Sequence, residues 1–189
     1  MPSLAEVGSR ALTLLGERAI VSIDPNTEAG RLLGELFPSV RRGELTRNRW
    51  VFALTRARLA ASTDVPLWGW TKAYRRPADC LALVQVGEFE DESYELEGDH
   101  ILADELAPLH IRYVADRPEP GHWPAMFAEV MAARLATEMC SRLTERPQLI
   151  PMLAERYDRM IRDARHSQAI EQPARAMVGG SDPWVVARQ

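Results

Sequence analysis

Between two blocks of helical periodicity lies a stretch, Trp50 to Val86, that holds three of the five tryptophans and alternates large with small residues. It opens Trp50-Val-Phe52-Ala-Leu54 and continues Trp68-Gly-Trp70-Thr-Lys-Ala-Tyr74-Arg-Arg-Pro77-Ala-Asp79-Cys80-Leu81. It closes Ala-Leu83-Val84-Gln-Val86. Large rings with little rotamer freedom give a small domain much buried area per residue. The stretch is therefore expected to be the central β-rich packing unit, flanked by helices. The fold class that follows is α+β.

The helical blocks are legible from their ends. Ser3 followed by Glu6 is a capping box, and Leu4, Val7, Ala11, Leu12 and Leu15 then recur at helical spacing before Gly16. A helix from Leu4 to Leu15 follows, then a short extended piece at Ile20–Ile23. Asp24-Pro25-Asn26-Thr27 is a turn that ends in a helix cap. The second helix is expected from Glu28 to Asn48, with Leu32, Leu33, Leu36, Val40 and Leu45 on one side. Pro38 inside it predicts a kink or a break. Arg41, Arg42, Arg47 and Arg49 form a basic run. It reads either as a solvated face that complements the helix C-terminus or as a contact for an acidic partner.

The middle of the chain predicts four to six short, mostly antiparallel strands. Trp50, Phe52 and Leu54 read as one; Arg56 to Leu59 either continue it or begin a helix. Residues 60–66 form a loop. Trp70–Tyr74 is extended, and Leu81, Leu83, Val84 and Val86 mark another strand. Tyr94–Glu97 and His100–Ala103 make a hairpin about Gly98-Asp99, and Leu109–Val114 alternates again. A linker rich in proline and glycine, Asp116 to Trp123, leads to Pro124 at the start of a helix. Phe127, Met131, Leu135, Met139 and Leu143 stand four apart. After a break at residues 145–147, Leu149, Leu153, Tyr157, Met160, Ile161 and Ala164 continue to about Ser167. The two segments predict an antiparallel helical hairpin. Beyond Glu171 the pattern dissolves into a tail with Gly179-Gly180 and a terminal Trp184-Val-Val-Ala-Arg188.

The chemistry-bearing residue types form no motif. The net charge is −4 over 189 residues, against the basic surface that stable nucleic-acid binding needs. Cys80 and Cys140 are expected to be reduced. His100 and His110 on neighbouring strands make a metal site conceivable, yet surface strand histidines are the plainer reading. Cys80 beside Asp79 is the best thiol candidate, with a buried packing cysteine as the alternative. The acidic run Glu88, Glu90, Asp91, Glu92, Glu95 and Glu97 lacks calcium-loop spacing. No phosphate loop, dinucleotide fingerprint or nucleophile elbow is present. No run approaches the roughly 20 apolar residues of a membrane span. The expectation is a soluble cytoplasmic product without catalytic residues, cofactor or metal.

In sequence order, several features resemble one known family. A helix with Leu-Leu-Gly precedes Ile20-x-Ser-Ile23-Asp, and Ala-x-Arg-Leu-x-x-Glu-Leu-Phe precedes Trp50-x-Phe52-Ala. Trp68-Gly-Trp70, Tyr74 and Pro77-Ala-Asp79-Cys80-Leu81 follow. Then come Tyr94-Glu-Leu96-Glu-Gly98, Leu109-x-Ile111-Arg-Tyr113-Val114, the helical hairpin and Trp184-x-x-Ala187-Arg188. The series resembles the tail tubular protein A family, the head-to-tail adaptors or gatekeepers of short-tailed bacteriophages, along nearly the whole chain. Pro38 and Val185-Val186 depart from the pattern, the latter where a more basic tail would be expected.

The resemblance implies a structural virion protein, assembled in the host cytoplasm into a dodecameric ring. The ring sits below the portal protein, extends the DNA channel without sequence-specific binding, and receives the tail nozzle (tail tubular protein B). It divides the chain into helices of a bundle at 1–49, a β-rich projection at 50–116, a helical hairpin at 117–170 and an extended docking tail at 171–189. Head-to-tail ring interfaces bury aromatic and arginine residues. The interface candidates are Trp50, Trp68, Trp70, Trp123 and Trp184, with the subunit core as the alternative for Trp50 and Trp70, and the expected partner contacts are Trp184, Arg188, Arg41, Arg42, Trp68, Arg75 and Arg76. A connector of a long-tailed phage or gene-transfer particle is the near alternative, and a small thiol enzyme using Cys80 is the distant one.

Overall fold

A computed structural model of the chain describes residues 2–88, 93–144 and 146–171, without the side chains of 169–171. Helix α1 spans Leu4–Leu15. The Ser3 hydroxyl accepts from the Glu6 N–H at 3.1 Å while the Glu6 carboxylate accepts from the Ser3 N–H at 2.7 Å. Gly16 ends the helix at φ 77°, a conformation that suits glycine. The Asp24–Thr27 turn feeds α2, Glu28–Asn48, where Thr27 caps the Gly30 N–H. A Cβ on Gly30 would run into the Asp24 carbonyl, so the turn and the helix start fit only around a glycine.

The Ile20–Ile23 piece belongs to no strand and bends at Val21-Ser22, with Val21 fully exposed. Of the kink or break expected at Pro38, the break does not occur, and helix α2 runs through the proline. The ring of Pro38 faces the carbonyl of residue 34, four positions earlier, and removes its hydrogen-bond donor. Residue 34 is an exposed glycine with no side chain to crowd that turn.

Helix α3, Ala125–Leu143, is the hub. It packs on α1, α2 and α4 (Leu149–Glu171). Phe127, Val130, Met131, Leu135 and Met139 are buried along it, and Ala132, Ala133 and Ala136 let neighbouring helices approach closely. Helix α4 returns along α3. Near its far end the Gln168 side chain accepts from the Val51 N–H at 2.9 Å, beside Trp50, which rests on Phe127 at the start of α3.

Six strands occur among the described residues: β1 Leu54–Leu59, β2 Lys72–Arg75, β3 Cys80–Val86, β4 Glu95–Glu97, β5 His100–Ala103 and β6 Leu109–Ala115. They form two antiparallel sheets, ordered β1-β6-β3 and β2-β5-β4. The fold class is mixed α+β, with four helices and two small sheets among the described residues. The first sheet has helices on one face, through Leu54, Ala82, Val84 and Val114. On its other face Leu109, Ile111 and Tyr113 meet Tyr74, Ile101 and Ala103 of the second sheet. Alternation along β6 serves both cores at once.

Trp50 to Val86 is not one packing unit. Residues Val51–Ala53 form a 3₁₀ turn instead of a strand, because Trp50 turns inward to the helices. Its indole N–H donates to the Glu44 carbonyl at 3.2 Å. Trp50, Phe52, Trp123 and Phe127 form a continuous aromatic cluster with ring centroids 4.8–6.3 Å apart. Trp68 is exposed and Trp70 half-buried, so the core between the sheets relies on Tyr74, Tyr113 and aliphatic residues instead. The two thiols are unpaired, Cys80 in this second core and Cys140 in the helical one.

Candidate functional site

The expected contact residues fall into two groups at different places in the fold. Arg41 and Arg42 sit on α2, where it meets the end of β6. Arg41 is only 5% exposed, and it forms a bidentate pair with Asp116, both contacts at 2.8 Å. Its guanidinium also lies over the Phe37 ring, 5.6 Å from the centroid. Arg41 is therefore an internal tie between helix and sheet, not a surface contact of the subunit, and this corrects the basic-run reading. Arg42 is exposed and reaches the same carboxylate at 3.3 Å. Trp184 and Arg188 lie outside the described residues.

The second group surrounds the loop from β1 to β2. Val65, Leu67 and Trp68 are 69%, 92% and 81% exposed on it. The loop is tethered at both ends. The Trp70 indole donates to the Glu95 carboxylate at 2.8 Å and the Thr71 N–H to Asp104 at 2.9 Å. At its start, Ala61 bridges to Tyr74. Its underside covers Ala73 and Leu102 on the outer face of the second sheet and leaves a shallow pocket of about 260 Å³. Arg75, on the same outer face, pairs with Asp99 at 3.4 Å in solvent. The Arg76 N–H donates to the Asp99 carbonyl. Trp68 and Arg75 are thus brought to one end of the molecule, whereas Arg41 is not. Three apolar side chains presented on a tethered loop form a surface suited to another protein.

The thiol and histidine candidates separate. Cys80 is buried, and burial pushes its thiol above the usual range; Arg76 pulls it down and Asp79 raises it further. A protonated, buried thiol is a poor nucleophile. The phenol of Tyr113 donates to Asp79 at 3.1 Å and is pushed up to about 12, first by burial and then by that carboxylate. His100 pairs with Asp99 in the second sheet and His110 with Glu88 beside the first. Among the described residues no three His, Cys, Asp or Glu side chains are arranged to hold a metal ion. No helix among them is long and apolar enough to cross a membrane.

One cluster has no counterpart in the sequence reading. Arg56 stands directly opposite Arg112, and Arg58 opposite His110, on the first sheet. They occupy the face whose other half, Leu54 and Val114, lies against the helices. Beyond the helices this face opens into a groove of about 390 Å³ whose polar lining is Arg56, Arg58, Gln85, Glu88, His110 and Arg112. The signal was alternation: Arg56 and Arg58 are two apart, as are His110 and Arg112. It becomes readable only once residues 56–59 are known to be strand and the register with β6 is fixed.

No family model matches the chain, and no curated protein matches it significantly.

Proposed function

We propose that the chain is a structural subunit of a bacteriophage head-to-tail adaptor, a ring that joins the portal to the tail nozzle and extends the DNA channel. The ordered series of residues from Leu15-Gly16 to Trp184 supports the family. In this reading the four helices supply the ring's bundle and the two sheets its projection toward the next tail component. The segment 171–189 is the arm that reaches the portal. The protein acts by shape, and Cys80, buried and protonated, takes no part in chemistry.

The observation that carries an assembly role is the tethered loop with Val65, Leu67 and Trp68 in solvent. A lone subunit gains nothing from holding an indole and two aliphatic side chains in water, whereas a subunit covered by a neighbour gains the burial. Arg75 and Asp99 beside the loop suit the polar rim of such a contact. The test is native mass of the purified chain, alone and mixed with its cognate portal protein. A ring-sized species in either sample is the expected result. A monomer indifferent to portal would overturn the proposal.

A further inference from the structure

Two arginines placed directly across from each other on neighbouring strands repel, and such pairs destabilise a sheet. Arg56 and Arg112 are placed so, and the next pair on the same face is Arg58 with His110. Among the described residues Arg56, Arg58 and Arg112 make no ion pair, and the groove's carboxylate Glu88 lies 3.2 Å from His110. The face is open because β1, β6 and β3 extend past the helices that cover Leu54 and Val114. Among the described residues the arrangement is repulsive, and it becomes favourable once an acidic group enters the groove.

On a second copy, β4 carries matching groups. Glu95, Leu96 and Glu97 are all exposed, and β4 is the edge of the second sheet. One oxygen of Glu95 already accepts from the Trp70 indole at 2.8 Å, whereas the Glu97 carboxylate has no hydrogen bond or ion pair among the described residues. Glu95 and Glu97 point to the same side, about 6.8 Å apart at strand spacing. Arg56 and Arg58 have the same separation on their strand, for the same reason. We infer that the arginine groove of one subunit receives the acidic edge strand β4 of the next, with Glu97, and the oxygen of Glu95 that Trp70 leaves free, facing Arg56, Arg58 and Arg112. The inference rests on the ring reading above and names one of its contacts. Groove and strand are different patches on different sheets, so the contact is heterologous and propagates around a ring.

A phosphate backbone is the other acidic partner that fits the spacing. Salt-sensitive DNA binding draws on many phosphate contacts and a basic field. The groove offers three arginines on a chain of net charge −4, with Glu88 at its wall. The carboxylate pair of a second subunit fits this better.

The experiment uses the full chain and two sets of charge reversals, Arg56→Glu with Arg58→Glu on the groove and Glu97→Arg on β4; Glu95 is left in place because it holds the Trp70 indole. All three residues are exposed, and circular dichroism checks that each variant is folded. The expected result is at least a tenfold weaker self-association for each set alone, read by native mass at graded concentration, and recovery when the two are mixed. Arg56→Gln adds a second reading. It should leave the monomer as stable as wild type or more so while weakening assembly, a split that a merely structural arginine would not give. Rings that persist unchanged in both reversed sets overturn the contact and leave the ring reading standing. A wild-type chain that stays monomeric with and without portal overturns both. Binding of a labelled duplex oligonucleotide that is lost in the arginine variants, with rings intact, overturns the contact in favour of DNA.

Discussion

The helical core and the pair of sheets place tryptophan and arginine in opposite ways, although the sheets too bury two rings, Tyr74 and Tyr113. In the helical core the aromatic rings are inside: Phe37 stacks on Trp123 at 5.7 Å, and Phe127 touches Trp50, Phe52 and Trp123. Charged groups are inside too. Arg41 pairs with Asp116, and Glu44, 2% exposed, accepts from the Tyr157 hydroxyl at 2.9 Å. In the sheets Trp68 stands in solvent, and the arginines line an open groove. Burying rings and paired charges fixes one arrangement of helices, while the same groups left outside are available to a partner. On the proposed reading, stability rests with one region and recognition with the other.

The largest test of that division is Phe127→Ala. Phe127 is fully buried and is the ring that the other three share. Truncating a buried phenylalanine costs about 4 kcal/mol, and here it also removes the edge-on contacts of Trp50 and Trp123. Urea unfolding followed by tryptophan fluorescence reads it directly, because Trp50 and Trp123 are buried reporters. A loss below about 1 kcal/mol would mean that the helical core does not dominate stability, and the comparison would fail.

How much of this was legible follows the same line. Helix α1, its capping box and its glycine stop, the boundaries of α2 and the β4–β5 hairpin depend on neighbours a few residues away, and each lies where the sequence places it. Which tryptophan is inside depends on tertiary contacts. Trp50 and Trp68 look alike locally, yet only Trp50 follows a helix whose end turns it onto Phe127. The groove was hidden for a related reason. Arg56 and Arg112 are far apart in the chain and meet only through strand register. Arg41 read as surface because its partner, Asp116, is equally remote.

A smaller effect separates burial from charge within the helical core. Burial raises the Glu44 carboxyl above its ordinary value of 4.5. The Tyr157 hydrogen bond and then Arg47, Arg134 and Asn48 pull the other way without cancelling it. A raised folded value means that the native state holds this proton more tightly than the unfolded state. The group's contribution is therefore complete below pH 4.5 and is lost as pH rises through the folded value. Glutamine keeps a hydrogen-bonding head without a titration. Glu44→Gln should flatten the fall in urea midpoint across that window and leave the profile elsewhere parallel to wild type. A variant that instead loses stability most at neutral pH would show that Arg47 and Arg134 outweigh the burial of the charge.

The smallest expected change in stability falls on the largest exposed ring. Trp68→Ser removes an indole that is 81% in solvent and has no hydrogen bond among the described residues. Such surface substitutions stay within about 0.5 kcal/mol. The loop should keep its shape, since Trp70 to Glu95 and Thr71 to Asp104 hold it without Trp68. On the adaptor proposal its effect should appear in assembly, as weaker binding to portal or nozzle protein or as a smaller fraction of ring by native mass. Adding Leu67→Ser should deepen that loss while the urea midpoint stays fixed. If the unfolding free energy falls by more than about 1 kcal/mol, Trp68 belongs to the fold after all, and the exposed loop is a cover for Leu102 instead of a surface for a partner. If neither the midpoint nor assembly moves, the partner meets the sheets elsewhere, and the arginine groove is the better place to look.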